Sequence, residues 1–366
     1  MFRPTVVHLI DDVTAGGVTR VIDHILTDEE LERSGRHSLR HVGRGELLVR
    51  PIRADIIVSH LTITWRALPA LIALRAANPK ARLVHVEHSY TGAFTELCVT
   101  RKTRFLTLLR SAFALFDRIV AVSEGQARWL LDASLTPPDS LSVIRSSVNL
   151  DAFRALPRPT GPVTSIGAIG RLERQKGFDI LIQAFRRFRA RGARLHVHGD
   201  GSEREALRRL ADGDERIVFH GHSPDPVKVM AGLDAVAMPS RWEAYGLVAL
   251  EAMTAGRPVL AAHVDGLADH VAAGATPVAE PTVEAWLAGL ETLADGDFAR
   301  PRAPVARFTH EWNALIARLA PNFDGTRLPD LAVEPNGSVD RAGPGDLGLA
   351  PGLIADAQPR IRYFQT

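Results

Sequence analysis

The sequence predicts an α/β protein made of two doubly wound parallel sheets in series. Strand-like apolar runs alternate with helical stretches almost throughout, and strand then helix, repeated, gives a parallel sheet with helices on both faces. A Pro-rich join, Leu156-Pro157-Arg158-Pro159-Thr160-Gly161-Pro162, interrupts that alternation once. The length, 366 residues, suits two domains that each bury a core.

In the first half the spacing predicts strands at 6–10, 56–60, 83–88, 118–122 and 141–144, with helices near 18–27, 65–77, 103–116 and 124–133. Ser123 followed by Gln126 has the spacing of a capping box and marks one helix start. Beyond the join, strands are expected at 163–169, 194–198, 216–220, 235–238, 257–262 and 276–279. Phe178, Leu181, Ile182, Phe185 and Phe188 recur on one helical face. The expected domains are therefore 1–155 and 160–305. Residues 321–366 hold 12 Gly and Pro in 46, a density that predicts a disordered tail.

Composition removes several classes of function. With 46% hydrophobic and 23% charged residues the chain is neither disordered throughout nor fibrous. No apolar run approaches the ~18 residues of a membrane span. Asp11-Asp12 ends the apolar run at 6–10, which reads as a first strand and not a secretion signal. The single Cys98 excludes an internal disulfide and a cysteine metal cluster, and points to the cytoplasm. Residues 1–160 carry 21 Lys and Arg against 16 Asp and Glu, the remainder 23 against 26. That scattered excess gives no case for nucleic acid. It does suit phosphorylated ligands or an anionic membrane surface.

Ligands of open parallel sheets bind beyond the carboxyl ends of the strands, where helix N-termini present free N–H groups. Three segments have that placement. Gly16-Gly17 follows the first strand, and reads either as a close-approach loop for phosphate or as an ordinary turn. Gly170-Arg171-Leu172-Glu173-Arg174-Gln175-Lys176-Gly177 sets two cations, Arg171 and Lys176, on a strand-to-helix turn without the Walker order. In the third, a strand at 235–238 leads through Pro239-Ser240-Arg241-Trp242-Glu243 to a helix expected to begin near Tyr245. Gly246 and Leu247 then offer unpaired amides and the positive helix end to an anion. Glu251, inside that helix, has two oxygens that suit a ribose diol; as a bare pattern it also reads as a surface helix residue.

This third segment resembles the Glu-x7-Glu signature of the retaining GT-B glycosyltransferases of family four, the glycosyltransferase group 1 family. Glu243 and Glu251 carry the spacing, within matching Pro-Ser, Tyr-Gly-Leu, Glu-Ala-Met and Gly-x-Pro-Val elements. Gly-Arg-Leu-x3-Lys-Gly, Gly199-Asp200-Gly201 and Gly221 fall where that family has its other glycine-bearing elements. The resemblance is strong over about 163–275 and architectural over 1–150. It implies two Rossmann-like lobes facing across a cleft, and a final helix, 306–320, returning to the first lobe.

The resemblance further implies roles. Arg171 and Lys176, with the Gly246 and Leu247 amides and the Gly16-Gly17 loop, would hold the diphosphate of a UDP- or GDP-type nucleotide sugar. Glu251 would hold the ribose, Glu243 would face the donor sugar, and His88 would reach the donor from the first lobe. No metal or resident cofactor is expected. The implied acceptor is a saccharide or lipid-linked saccharide in exopolysaccharide, lipopolysaccharide or glycolipid assembly. Rival readings are a GT-B nucleotide-sugar epimerase and a non-catalytic partner of this fold. The sequence departs from the family pattern at Ser146-Ser147-Val148-Asn149, at Ala244, and at Asp269, where a glutamate is common. Asp212-Gly213-Asp214 and Asp295-Gly296-Asp297 read as helix-terminal turns in preference to metal motifs. The basic, apolar stretch 101–113 suits either core packing or rest against the inner face of the cytoplasmic membrane.

Overall fold

A computed structural model describes residues 3–12, 16–296, 298 and 307–320. The predicted tail, 321–366, lies outside the described residues, as does most of 297–306. Two six-stranded sheets carry the chain, and every strand pairing is parallel. The first contains β1 Thr5–Ile10, β2 Arg36–His41, β3 Ile56–Ser59, β4 Arg82–Glu87, β5 Arg118–Ala121 and β6 Leu141–Val143, ordered β2-β1-β3-β4-β5-β6. The second contains β7 Ser165–Ile169, β8 Arg194–His198, β9 Ile217–Gly221, β10 Ala235–Met238, β11 Val259–Ala262 and β12 Thr276–Val278. Its order is β12-β11-β10-β7-β8-β9. This is the fold class that the alternating pattern predicts.

Central strands are buried on both faces, so β3, β5 and β10 read as short, nearly continuous apolar runs. The edge strand β2 escaped the sequence reading because Arg-His-Ser-Leu-Arg-His is polar and mostly exposed. It forms because β1 offers it a full parallel ladder, from Thr5↔Arg36 to Ile10↔His41. The strand order reverses between β1 and β3, and again between β7 and β10. Ligands of doubly wound sheets bind at such reversals, beyond the carboxyl ends.

The two lobes share an apolar cluster that runs from Val6 through Leu150 and Phe153 to Tyr245, Met253 and Trp312. The helix Phe308–Leu319 lies against the first lobe. Thr309 Oγ1 donates to Asp28 Oδ2 at 2.9 Å, and the Trp312 ring meets the His8 ring edge-on at 6.1 Å. Buried Arg257 donates to the Pro157 carbonyl at 2.8 Å and ties the join to the second lobe. In the helix Lys102–Phe113 the apolar residues Leu108, Leu109, Ala112 and Phe113 face the core. Its cations are engaged within the protein: Lys102 pairs with Glu96, Arg110 donates to the Ala133 carbonyl at 2.8 Å, and Arg104 lies over Trp65. No helix among the described residues is long and apolar enough to cross a membrane.

Candidate active site

At the β7/β10 reversal, the loops that follow the two strands lie directly on each other. Gly177 has φ +65°, and a Cβ there would collide with the Pro239 carbonyl oxygen. Glycine is the residue that tolerates both conditions. The Arg241 N–H donates to the Gln175 carbonyl at 2.8 Å, and Gln175 Nε2 to the Trp242 carbonyl at 3.1 Å. This stitching brings Lys176 Nζ onto Glu243 Oε2 as an ion pair whose side chains are 15% and 13% exposed. Arg171 stays exposed at the rim, its Nη2 3.5 Å from Gln175 Oε1.

Glu243 is in the loop and not on the helix. The helix runs Leu247–Thr254, with Gly246 at φ +98° as its N-cap, so the expected start near Tyr245 comes two residues too early. Ala249 and Leu250 donate back to the Gly246 carbonyl, at 3.0 and 3.3 Å. The first-turn N–H groups of Leu247 and Val248 are thereby left for a ligand.

The first lobe meets this helix start with one of its own. Gly16 caps the helix Gly17–Thr27, and a Cβ on Gly17 would lie 3.3 Å from Leu247 Cδ1. One turn on, Arg20 places Nη2 2.6 Å from Glu251 Oε1. Glu251 is only 2% exposed, with the Arg20 guanidinium against it. Burial pushes the Glu251 carboxyl above its ordinary range, and the nearby guanidinium pulls part of the way back. A buried carboxylate with so few donors is costly unless further donors reach it.

His88 is the first residue after β4. Glu87 Oε1 accepts from the Ser89 and Tyr90 N–H groups, at 2.8 and 2.9 Å, and so turns the chain there. His88 Nε2 lies 2.8 Å from His60 Nδ1. Beyond it, His60 Nε2 is 3.0 Å from His8 Nδ1, and His8 Nε2 is 3.0 Å from His37 Nδ1. Burial drives these imidazoles toward the neutral form: His8 to about 3, His37 and His88 to about 4, and His60 well down.

The sequence reading missed the residues that bind lobe to lobe. Asp269 accepts from the Glu124 and Gly125 N–H groups, at 3.0 and 3.2 Å, and from Arg145 Nε at 2.9 Å. One carboxylate of the second lobe thus caps the helix Glu124–Asp132 of the first, where the helix dipole favours negative charge. Asp265 Oδ1 accepts from the Ala93 N–H at 3.1 Å, and a Cβ on Gly125 would strike the Asp265 carbonyl oxygen. Phe94 and Trp242 meet edge to face beside this seam, 5.9 Å between centroids.

The two halves match two family models. Residues 3–152 match Glycosyltransferase Family 4, and residues 163–295 match Glycosyl transferases group 1. The chain is 31% identical to the 2-deoxystreptamine N-acetyl-D-glucosaminyltransferase of Streptomyces fradiae over 66% of its length and 58% of that protein's. To the D-inositol 3-phosphate glycosyltransferase of Mycobacterium marinum it is 30% identical, over 55% of this chain and 47% of that one. The chain thus spans about half the length of these relatives. Among solved structures, Anabaena HepE in complex with UDP and glucose superposes with a TM-score of 0.60 at 17% identity, covering 86% of this chain and 95% of that one. The sucrose-phosphate synthase of Thermosynechococcus elongatus gives 0.63 at 18% identity, covering 86% and 94%. The architecture is therefore GT-B. With a family four domain followed by a group 1 domain, the chain belongs with the GT-B glycosyltransferases.

Proposed function

We propose that this protein is a retaining, metal-independent glycosyltransferase that moves a sugar from a nucleoside-diphosphate donor to an acceptor hydroxyl. The observation that carries the reading is the meeting of Lys176, Glu243, the Gly246 helix start, Gly17 and Glu251 where the two lobes approach. A diphosphate entering there would exchange places with Glu243 at Lys176 and accept from the Leu247 amide. Arg171 would close over it from the rim. Glu251 would accept from both ribose hydroxyls.

Leaving-group stabilisation is the main catalytic work in this reading: preorganised cations and amides meet charge as it develops on the departing diphosphate. Glu243, released from Lys176 by the diphosphate, supports positive character at the anomeric carbon. The departing phosphate oxygen takes the proton of the incoming hydroxyl, which attacks the same face. His88 reaches the donor sugar from the first lobe. The acceptor classes worth testing are cyclitols, after the names of the two relatives, and lipid-linked saccharides.

Thermal melting with UDP, GDP and ADP tests the donor site, and one diphosphate should raise the melting temperature above the other two. No response to any of the three would overturn the reading. Incubation of UDP-glucose, GDP-mannose and ADP-glucose with 2-deoxystreptamine, inositol 3-phosphate or a lipid-linked saccharide then tests transfer. An isomerised nucleotide sugar formed without acceptor would replace transfer by epimerisation.

A further inference from the structure

Four histidine rings cross the first sheet in a continuous file, His37 on β2, His8 on β1, His60 after β3 and His88 after β4. Neighbouring rings stack at 5.1 to 5.3 Å between centroids. Each contact joins the Nδ1 of one ring to the Nε2 of the next, always in the same sense: His37 to His8, His8 to His60, His60 to His88. The sequence reading singled out only the last of the four.

This regular sense has a consequence. A neutral imidazole has one N–H and one lone pair. A bond between two rings needs one of each, so the tautomer of any ring dictates that of its neighbour. The whole file is either Nδ1–H or Nε2–H; a mixed file sets N–H against N–H, or lone pair against lone pair, at about hydrogen-bond distance. The far end decides between them. His37 Nε2 is buried and has no hydrogen-bond partner among the described residues. A buried orphan N–H is rarer and costlier than a buried orphan acceptor. Asp28 and Arg3 act on the same ring with opposite signs, Asp28 the more strongly, so the choice rests on the orphan alone. The Nδ1–H file leaves only an acceptor orphaned and puts the last N–H on His88 Nδ1, the ring nitrogen the file leaves over.

We propose that His60, His8 and His37 are positioning residues that hold His88 in a single tautomer, Nδ1–H, so that it meets the donor sugar as a hydrogen-bond donor. The purpose assigned to the file rests on the reading of His88 given above; the coupling of the four tautomers does not. The file is seated by the fold: Trp312 of the helix Phe308–Leu319 covers His8, and the ladder pairing sets β1 between β2 and β3.

Long-range nitrogen–proton NMR of the full chain, labelled with nitrogen-15 in its histidine rings, reads each tautomer without any ligand. The wild type should show His8, His60 and His88 all in the Nδ1–H form. His37→Leu, at the end remote from the cleft, should split His8 and His88 between two tautomers. His37→Asn keeps an amide N–H near the original Nδ1 and should restore the single form. An Nε2–H form at His88, or wild-type spectra in His37→Leu, overturns the proposal. Hydrolysis of UDP-glucose, GDP-mannose and ADP-glucose gives the second readout. His37→Leu should lower kcat roughly two- to tenfold, the loss of one neutral hydrogen bond, with KM held, and His37→Asn should recover it. Full turnover in His88→Ala would overturn the reading of His88 and with it the purpose of the file. Loss in His88→Ala with wild-type kcat and spectra in His37→Leu would overturn the relay alone.

Discussion

The two lobes use the same kind of sheet and put opposite chemistry at the place where strand order reverses. In the second lobe, buried polarity is ionic: Lys176 with Glu243, and Glu251 with Arg20 borrowed from across the cleft. In the first it is neutral, a file of imidazoles that burial keeps uncharged. Paired charges are a poor source of net stability, because desolvation offsets much of the attraction, but they are ready to exchange partners with an incoming anion. Neutral rings cannot hold a diphosphate; they can orient hydroxyls. In the function proposed above, a division of labour between the charged and uncharged ends of one donor molecule would follow from how each lobe pairs its polar groups.

That contrast can be broken by experiment. Acid should produce the largest effect, with the four-ring file of the first lobe acting beside His198 and His270 of the second, which burial also lowers to about 4. The unfolded chain binds protons on these histidines below about pH 6.5, whereas the fold refuses them until about pH 4 or lower. The stability they confer is therefore complete above pH 6.5 and drains away as pH falls toward 4. At about 1.4 kcal/mol for each pKa unit withheld, several such rings cost several kcal/mol at the acid end. Melting measured from pH 8 to 4 checks this, and a melting temperature flat across that range breaks the contrast.

Next in size is Lys176→Ala, which should cost roughly 1.5–3 kcal/mol of kcat/KM, the worth of a hydrogen bond to a charged group. Donor binding and turnover should weaken together, and titration with UDP or GDP beside steady-state kinetics separates the two. Unchanged affinity would remove Lys176 from the diphosphate. Asp269→Ala should lower stability by about 1–2 kcal/mol, as lost helix caps do. Hydrogen exchange should localise the loosening to the start of the 124–132 helix and the lobe seam; uniform exchange would contradict this. The smallest effect belongs to Arg20→Ala. Its partly exposed ion pair is worth at most about 1 kcal/mol of stability. Removing it lets the Glu251 carboxyl rise further, so UDP binding should fail at a higher pH than in the wild type. Identical pH profiles would show that Arg20 does not govern Glu251.

The sheets were largely legible because parallel strands buried on both faces leave unbroken apolar runs, as at 56–59 and 235–238. β2 was not, because an edge strand is recognised by its partner and not by its own polar residues. The charged site was legible for a similar local reason: Lys176 and Glu243 sit on strand-to-helix turns, and Glu251 lies in the helix that follows, at recognisable spacing. Their partners were not. Glu124 and Asp269 are 145 residues apart, and no local pattern links them. Asp269 was visible only as a shorter side chain where a glutamate is common. The histidine file was invisible for the same reason, since its bonds cross 29, 52 and 28 residues.

The cap that Asp269 supplies bears on engineering. Under the proposed function, exchanging the second half of this chain for that of a glycosyltransferase of the same fold is the obvious way to change the sugar delivered. Yet the graft would also take away the carboxylate on which a helix of the retained half depends, and leave Arg145 with Glu124 in place of two carboxylate partners. Chimeras that keep an aspartate at position 269, opposite an arginine at 145, should assemble. Those that import the longer glutamate will need the seam rebuilt before the new specificity can be read.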